Sequence, residues 1–217
     1  MKLFTTFLIA AVALSAAPIT TQVKLVNAGS PSDIANSVTI DGVTKTGVYI
    51  GPYTLLMNGQ DMAALCIAFN DTSHVNDTWN AYVTQVGSSN LSDTYHPTYG
   101  QEYEEEAYLF SQIIKPGADR TGLQEAAWDI TAYGITNSSY KYLIGDNSYI
   151  DAALADYSTM NFSGYEIVSD TVAGAEQEFI VCTPEPGSLT LLGAGLLIAF
   201  GAAAWRRRKS ATLLSAA

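Results

Sequence analysis

The chain has 217 residues, 48% hydrophobic and 14% charged, with 21 acidic residues against 10 basic ones and a formal net charge of −11. That length suits one domain with appended segments and leaves little room for two. The apolar content excludes a disordered acidic chain, and the absence of a basic patch argues against nucleic-acid binding. Two cysteines are too few for a disulfide-dense scaffold or a four-ligand zinc site.

The charge is unevenly spread. Met1 and Lys2 precede an apolar run from Leu3 to Ala17 that ends in small residues, Ser15, Ala16 and Ala17. A short positive start, an apolar core and a small-residue end make a secretory signal peptide, handled by the Sec translocon and signal peptidase. Residues 1–17 are therefore assigned to export and 18–182 to an extracytoplasmic domain. From Pro18 to Pro186 only Lys24, Lys45, Lys115, Arg120 and Lys141 oppose all 21 acids, a net charge of −16. Such a surface repels phosphate and anionic lipid.

Along the body, Val38–Ile40, Val48–Ile50 and Tyr53–Met57 are rich in β-formers. Asn58-Gly59 predicts a tight hairpin from Tyr53–Met57 into a strand over Met62–Phe69, because both turn residues tolerate positive φ. A short strand is expected at Ala81–Val86. Tyr103, Ala107, Phe110 and Ile114 fall at helical spacing up to Pro116-Gly117, with Glu102 and Glu104–Glu106 favoured at the start by the helix dipole. Leu123, Ala127 and Ile130 predict a second helix from Thr121 to Tyr133, stopped by Gly134. A third is expected over Tyr149–Met160, and strands return at Tyr165–Val168 and Glu178–Val181. The fold class expected is α+β, mostly β at both ends of the body with a helical middle, plus one C-terminal transmembrane helix.

Cys66 and Gln124 admit several readings. Cys66 serves as a buried free thiol, or pairs with Cys182, because exported chains meet an oxidising compartment. That disulfide would close a loop of more than 100 residues, worth about 4–5 kcal/mol in the chain-entropy view. Gln124, three residues after Thr121, fits a capping box, and Trp128 fits a large core residue whose N–H finds one partner. His74 and His96 are far apart and lack an acid at ligand spacing, so no metal is assigned. No nucleophile elbow, phosphate loop or cofactor pattern is present. Thirteen tyrosines and Trp79 leave open a sugar-binding face.

The pair also sits in two short motifs, Leu65-Cys66-Ile67 and Gln124-Glu125-Ala126-Ala127-Trp128. Together these resemble the internal thioester domains of bacterial surface adhesins. The resemblance covers roughly residues 47–133, with Ala68 where that family has an acid and Leu123 where it has Thr. It implies that Cys66 supplies a thiol, Gln124 the acyl carbon, and that an amine on another surface later displaces the thiolate. The domain would then be a single-use acyl donor rather than an enzyme.

The C-terminus reads Pro184-Glu185-Pro186, an uncharged run over Gly187–Trp205, then Arg206-Arg207-Arg208-Lys209 and a tail over residues 210–217. As a helix the run is roughly 28 Å long, close to a hydrocarbon core, and the cations keep its end cytoplasmic. This tripartite pattern over 183–209 resembles the PEP-CTERM sorting signal of Gram-negative bacteria. The resemblance implies an inner-membrane precursor cut near Pro184–Pro186 by an integral-membrane protease, exosortase, with the mature domain passed to the cell surface or extracellular matrix. The expected function is a structural or adhesive component of that envelope or polysaccharide matrix. The alternatives are a covalent adhesin with a Cys66–Gln124 thioester and a carbohydrate-binding module. The expected partners are exosortase and a surface polysaccharide or amine-bearing surface.

Overall fold

A computed structural model describes residues 20–30, 33–135 and 147–183. The expected signal peptide, the Pro-Glu-Pro element, the apolar span over 187–205, the basic cluster and the tail lie outside the described residues. Among the described residues no helix is long and apolar enough to cross a membrane.

Strand β1 (Thr20–Asn27) alternates so that Val23 and Leu25 are fully buried while Gln22, Lys24 and Val26 turn the other way. It pairs antiparallel with β4 (Tyr53–Met57) on one side and with β6 (Thr78–Gln85) on the other. β4 turns into β5 (Gln60–Cys66) through Asn58 and Gly59, whose φ values of 51° and 76° meet the expected hairpin. β5 continues through β8 (Phe179–Cys182) and β7 (Tyr165–Asp170) back to β6, which closes an antiparallel barrel of order β1-β4-β5-β8-β7-β6. Closure removes exposed sheet edges. Its interior is filled by Val23, Leu25, Leu55, Met57, Ala64, Cys66, Ala81, Val168 and Phe179.

One side of the barrel is covered by α1 (Gly100–Ile113), α2 (Arg120–Tyr133) and α3 (Asn147–Asp156). There β5, β7 and β8 are buried on both faces, with Leu65, Ile67, Ile167 and Ile180 turned to Phe110, Ile113, Leu123 and Ile130. The body is thus mixed α+β, with strands before and after a helical middle. Ile114 belongs outside the predicted apolar face: it caps α1 and is largely exposed. β5 ends at Cys66, three residues before the expected limit. β1 was not anticipated, because only two of its eight residues are deeply buried.

Strand parity overturns the Cys66–Cys182 disulfide. Cys66 points into the barrel interior, whereas Cys182, one position beyond inward-facing Val181, packs on the helix side. Successive residues of a strand face opposite ways, so the barrel wall separates the two thiols, and both are free.

A second sheet, β2 (Ile34–Ile40) with β3 (Val43–Tyr49), is a hairpin outside the barrel. It is tied to both ends of α2. Arg120 Nη1 donates to Asp33 Oδ2 at 2.7 Å, and the Asp41 N–H donates to Tyr133 Oη at 3.0 Å. Val38 and Ile40 join the interior cluster, so the hairpin lies over the barrel mouth.

Candidate functional site

Cys66 is the last residue of β5 and is wholly buried. Gln124 lies in the second turn of α2 and is equally buried. The fold brings the two together across 58 residues of sequence: Gln124 Nε2 donates to the Cys66 carbonyl oxygen at 2.6 Å. Gln124 Oε1 is buried with no hydrogen-bond partner among the described residues. The capping-box reading fails here. The N-cap is Asp119, whose carboxylate accepts the Gly122 N–H at 3.2 Å, which leaves Gln124 free to point into the core.

The surroundings are buried and aromatic, with Tyr53, Phe69 and Trp128 all little exposed. Phe69 packs on Trp128 with ring centroids 4.9 Å apart. Gly51 leaves room for the carboxamide, since a Cβ there would lie 3.2 Å from both Gln124 Oε1 and the Tyr53 ring. The Cys66 thiol donates to the Ala68 carbonyl at 3.6 Å. Burial pushes this thiol up to about 12, while the Trp128 indole and the Lys45 charge act in the opposite sense. Contrary to expectation, the Trp128 indole N–H finds no nitrogen or oxygen partner among the described residues. Burial, with the nearby Cys66, also holds the Tyr53 phenol above its ordinary range.

Two surface clefts meet at Phe69, Asp71 and Trp128. One, of about 450 Å³, runs beneath β3 past Tyr49, Tyr53 and His74. The other, of about 480 Å³, passes Asp41, Tyr95, His96 and Tyr99. Against the expectation that neither histidine has an acid nearby, both do, and for His74 it stands only three residues on. His74 Nδ1 lies 3.2 Å from Asp77 Oδ2, and the charge of Asp71 acts on His96, which burial holds below its ordinary value. Among the described residues no group of three His, Cys, Asp or Glu side chains is placed to hold a metal.

The acidic start of α1 is also not a solvated face. Glu102, Glu105 and Glu106 are buried, as are Asp129 and Glu178. Glu106 accepts the Thr131 hydroxyl. Glu178 accepts the Tyr95 N–H at 2.9 Å, the Tyr103 hydroxyl at 2.8 Å and the Ser169 hydroxyl. Period-based reading cannot see this, because a buried acid and a solvated one look alike in a helical repeat.

The sorting residues Pro184, Glu185, Pro186, Arg206, Arg207 and Arg208 lie outside the described residues. The profile of the PEP-CTERM protein-sorting motif matches residues 183–209. This chain carries a PEP-CTERM sorting signal. It is therefore an exported protein sorted by exosortase from a membrane-anchored precursor in a Gram-negative bacterium. The match covers the tail of this chain and leaves its body aside. No curated protein and no solved structure matches the chain.

Proposed function

We propose that the exported body is a surface adhesive that works covalently, through an internal thioester between Cys66 and Gln124. The observation that carries this reading is the Gln124 carboxamide, buried against the Cys66 backbone with its oxygen unpartnered. Burying an amide oxygen without a donor costs roughly 1–3 kcal/mol. A thioester carbonyl is a weaker acceptor, so acylation relieves part of that cost.

The balance is simple. Cys66 Sγ bonds to Gln124 Cδ, the Cδ–Nε2 bond breaks, and ammonia leaves with the thiol proton. Later an amine on a facing surface bonds to Cδ, the C–S bond breaks, and Cys66 regains a proton from the amine. The product is an amide between Gln124 and the partner, with no net redox change. The closed barrel and the Phe69–Trp128 lid exclude water, which protects the acyl group from hydrolysis. A self-repelling acidic body also attracts cationic, amine-bearing surfaces.

Intact mass tests the reading. The protein should be lighter than its sequence by one ammonia, about 17 Da from the bond chemistry, and methylamine should reverse the loss. Cys66→Ala and Gln124→Ala should each show the unshifted mass and lose capture by amine-coated matrix. A wild-type mass without the loss, or equal capture by Cys66→Ala, overturns the reading.

A further inference from the structure

Lys45 is one of the few cations of the body, and it sits at the mouth of the site. From β3 its ammonium reaches down to the segment after β5. It donates to the Asn70 carbonyl at 3.2 Å, the Asp71 carbonyl at 2.9 Å and Thr72 Oγ1 at 3.3 Å. It also lies over the Phe69 ring, 5.3 Å from its centroid. A primary ammonium has three N–H donors; here each finds an oxygen, and an aromatic face completes the shell. Phe69 in turn packs on Trp128 beside Cys66. The arrangement forms a receptor for an alkylammonium at the entrance to an acyl donor, with the chain's own lysine seated in it. The same three bonds hold the β2–β3 hairpin down over the barrel mouth.

We propose that the Asn70–Asp71–Thr72 oxygens and the Phe69 ring are the recognition site for a lysine side chain on the partner surface, and that Lys45 occupies this site until the partner displaces it. The proposal rests on the thioester reading and specifies its substrate as a primary alkylammonium. On displacement the hairpin loses its latch, and the incoming ammonium is bound one aromatic ring from Trp128. It then gives a proton to solvent water before attacking Gln124 Cδ.

The test uses the full chain in detergent and follows intact mass over time. Wild type, Lys45→Met and Lys45→Gln are each treated with Nα-acetyl-lysine amide or with hydroxylamine, which is uncharged at neutral pH. With the ammonia loss present, both variants should react with the lysine derivative faster than wild type, on the order of tenfold, the scale of one charge-assisted contact. Their reaction with hydroxylamine should change far less. Equal acceleration by both nucleophiles means that the hairpin only opened, and overturns ammonium recognition. Unchanged rates in thioester-bearing variants overturn the proposal while the thioester stands. Absence of the ammonia loss in wild type removes the thioester reading and the proposal with it. A loss that methylamine cannot reverse and that Lys45→Met abolishes makes Lys45 the acceptor itself, which also overturns its role as a displaceable occupant.

Discussion

Trp128 follows Gln124 by four residues, so both side chains leave α2 on one face, and that face meets the barrel interior rather than the other helices. Its indole eases the thiol's burial-driven shift, and in the proposed thioester the same N–H would stabilise the thiolate that departs when an amine attacks. Trp128→Phe keeps the ring that packs on Phe69 and removes the donor. The variant should retain the ammonia loss but react with methylamine about tenfold more slowly, a modest cost for one donor to a developing anion because sulfur is a weak acceptor. Rate measurements by mass spectrometry check it; an unchanged rate assigns Trp128 to packing alone. The motif around Gln124 was legible in the sequence. The orientation of its carboxamide was not, because Thr121 offered a local cap that Asp119 in fact provides.

At the scale of elements, punctuation residues were the reliable guides. Asn58-Gly59 makes its hairpin, and α2 ends at Gly134, which adopts φ 60° while its N–H returns to the Ile130 carbonyl at 2.9 Å. A Cβ at Gly134 would also lie 3.0 Å from Tyr99 Oη. Gly134→Ala should therefore lower unfolding free energy by about 1–2 kcal/mol, from the left-handed backbone penalty plus this contact. Chemical denaturation measures it, and the ammonia loss should persist because Gln124 lies at the other end of the helix. β1 escaped prediction because a strand that alternates between barrel interior and water, with Lys24 and Gln22 on its wetter face, carries few apolar residues. The two-faced burial of β7 and β8 likewise follows only from the helices packed on their outer side.

At the scale of the molecule, the buried acids set a pH dependence. Burial, with the charge of Glu125, raises the Asp129 carboxyl to about 7. Burial, with Glu102 and Glu104 adding and Gln101 opposing, raises Glu105 to about 7. Neither Asp129 oxygen has a partner among the described residues. Both groups bind protons more tightly in the folded chain than in the unfolded one, where they titrate near 4. Their contribution is complete below about pH 4 and is lost as pH rises through 7. Self-repulsion of the acidic surface acts in the same direction. The protein should melt at a lower temperature at pH 8 than at pH 5, and Asp129→Asn should flatten that slope. A melting temperature that rises from pH 5 to pH 8 contradicts the assignment.

Sequence alone determined the fate of this chain. An address is read as a linear pattern, so Pro184-Glu185-Pro186, the uncharged run and the arginines carry their meaning without a fold. It also marked Cys66 and Gln124 as candidates, while leaving a disulfide and free thiols open. Only the tertiary structure separated Cys66 from Cys182. Strand parity put Cys182 behind the barrel wall, and the packing of α2 on the barrel brought the Gln124 amide to the Cys66 carbonyl. The same tertiary packing seats Lys45 on the segment after β5. Its contacts come from a hairpin and a loop some 25 residues apart in sequence, which no local pattern joins.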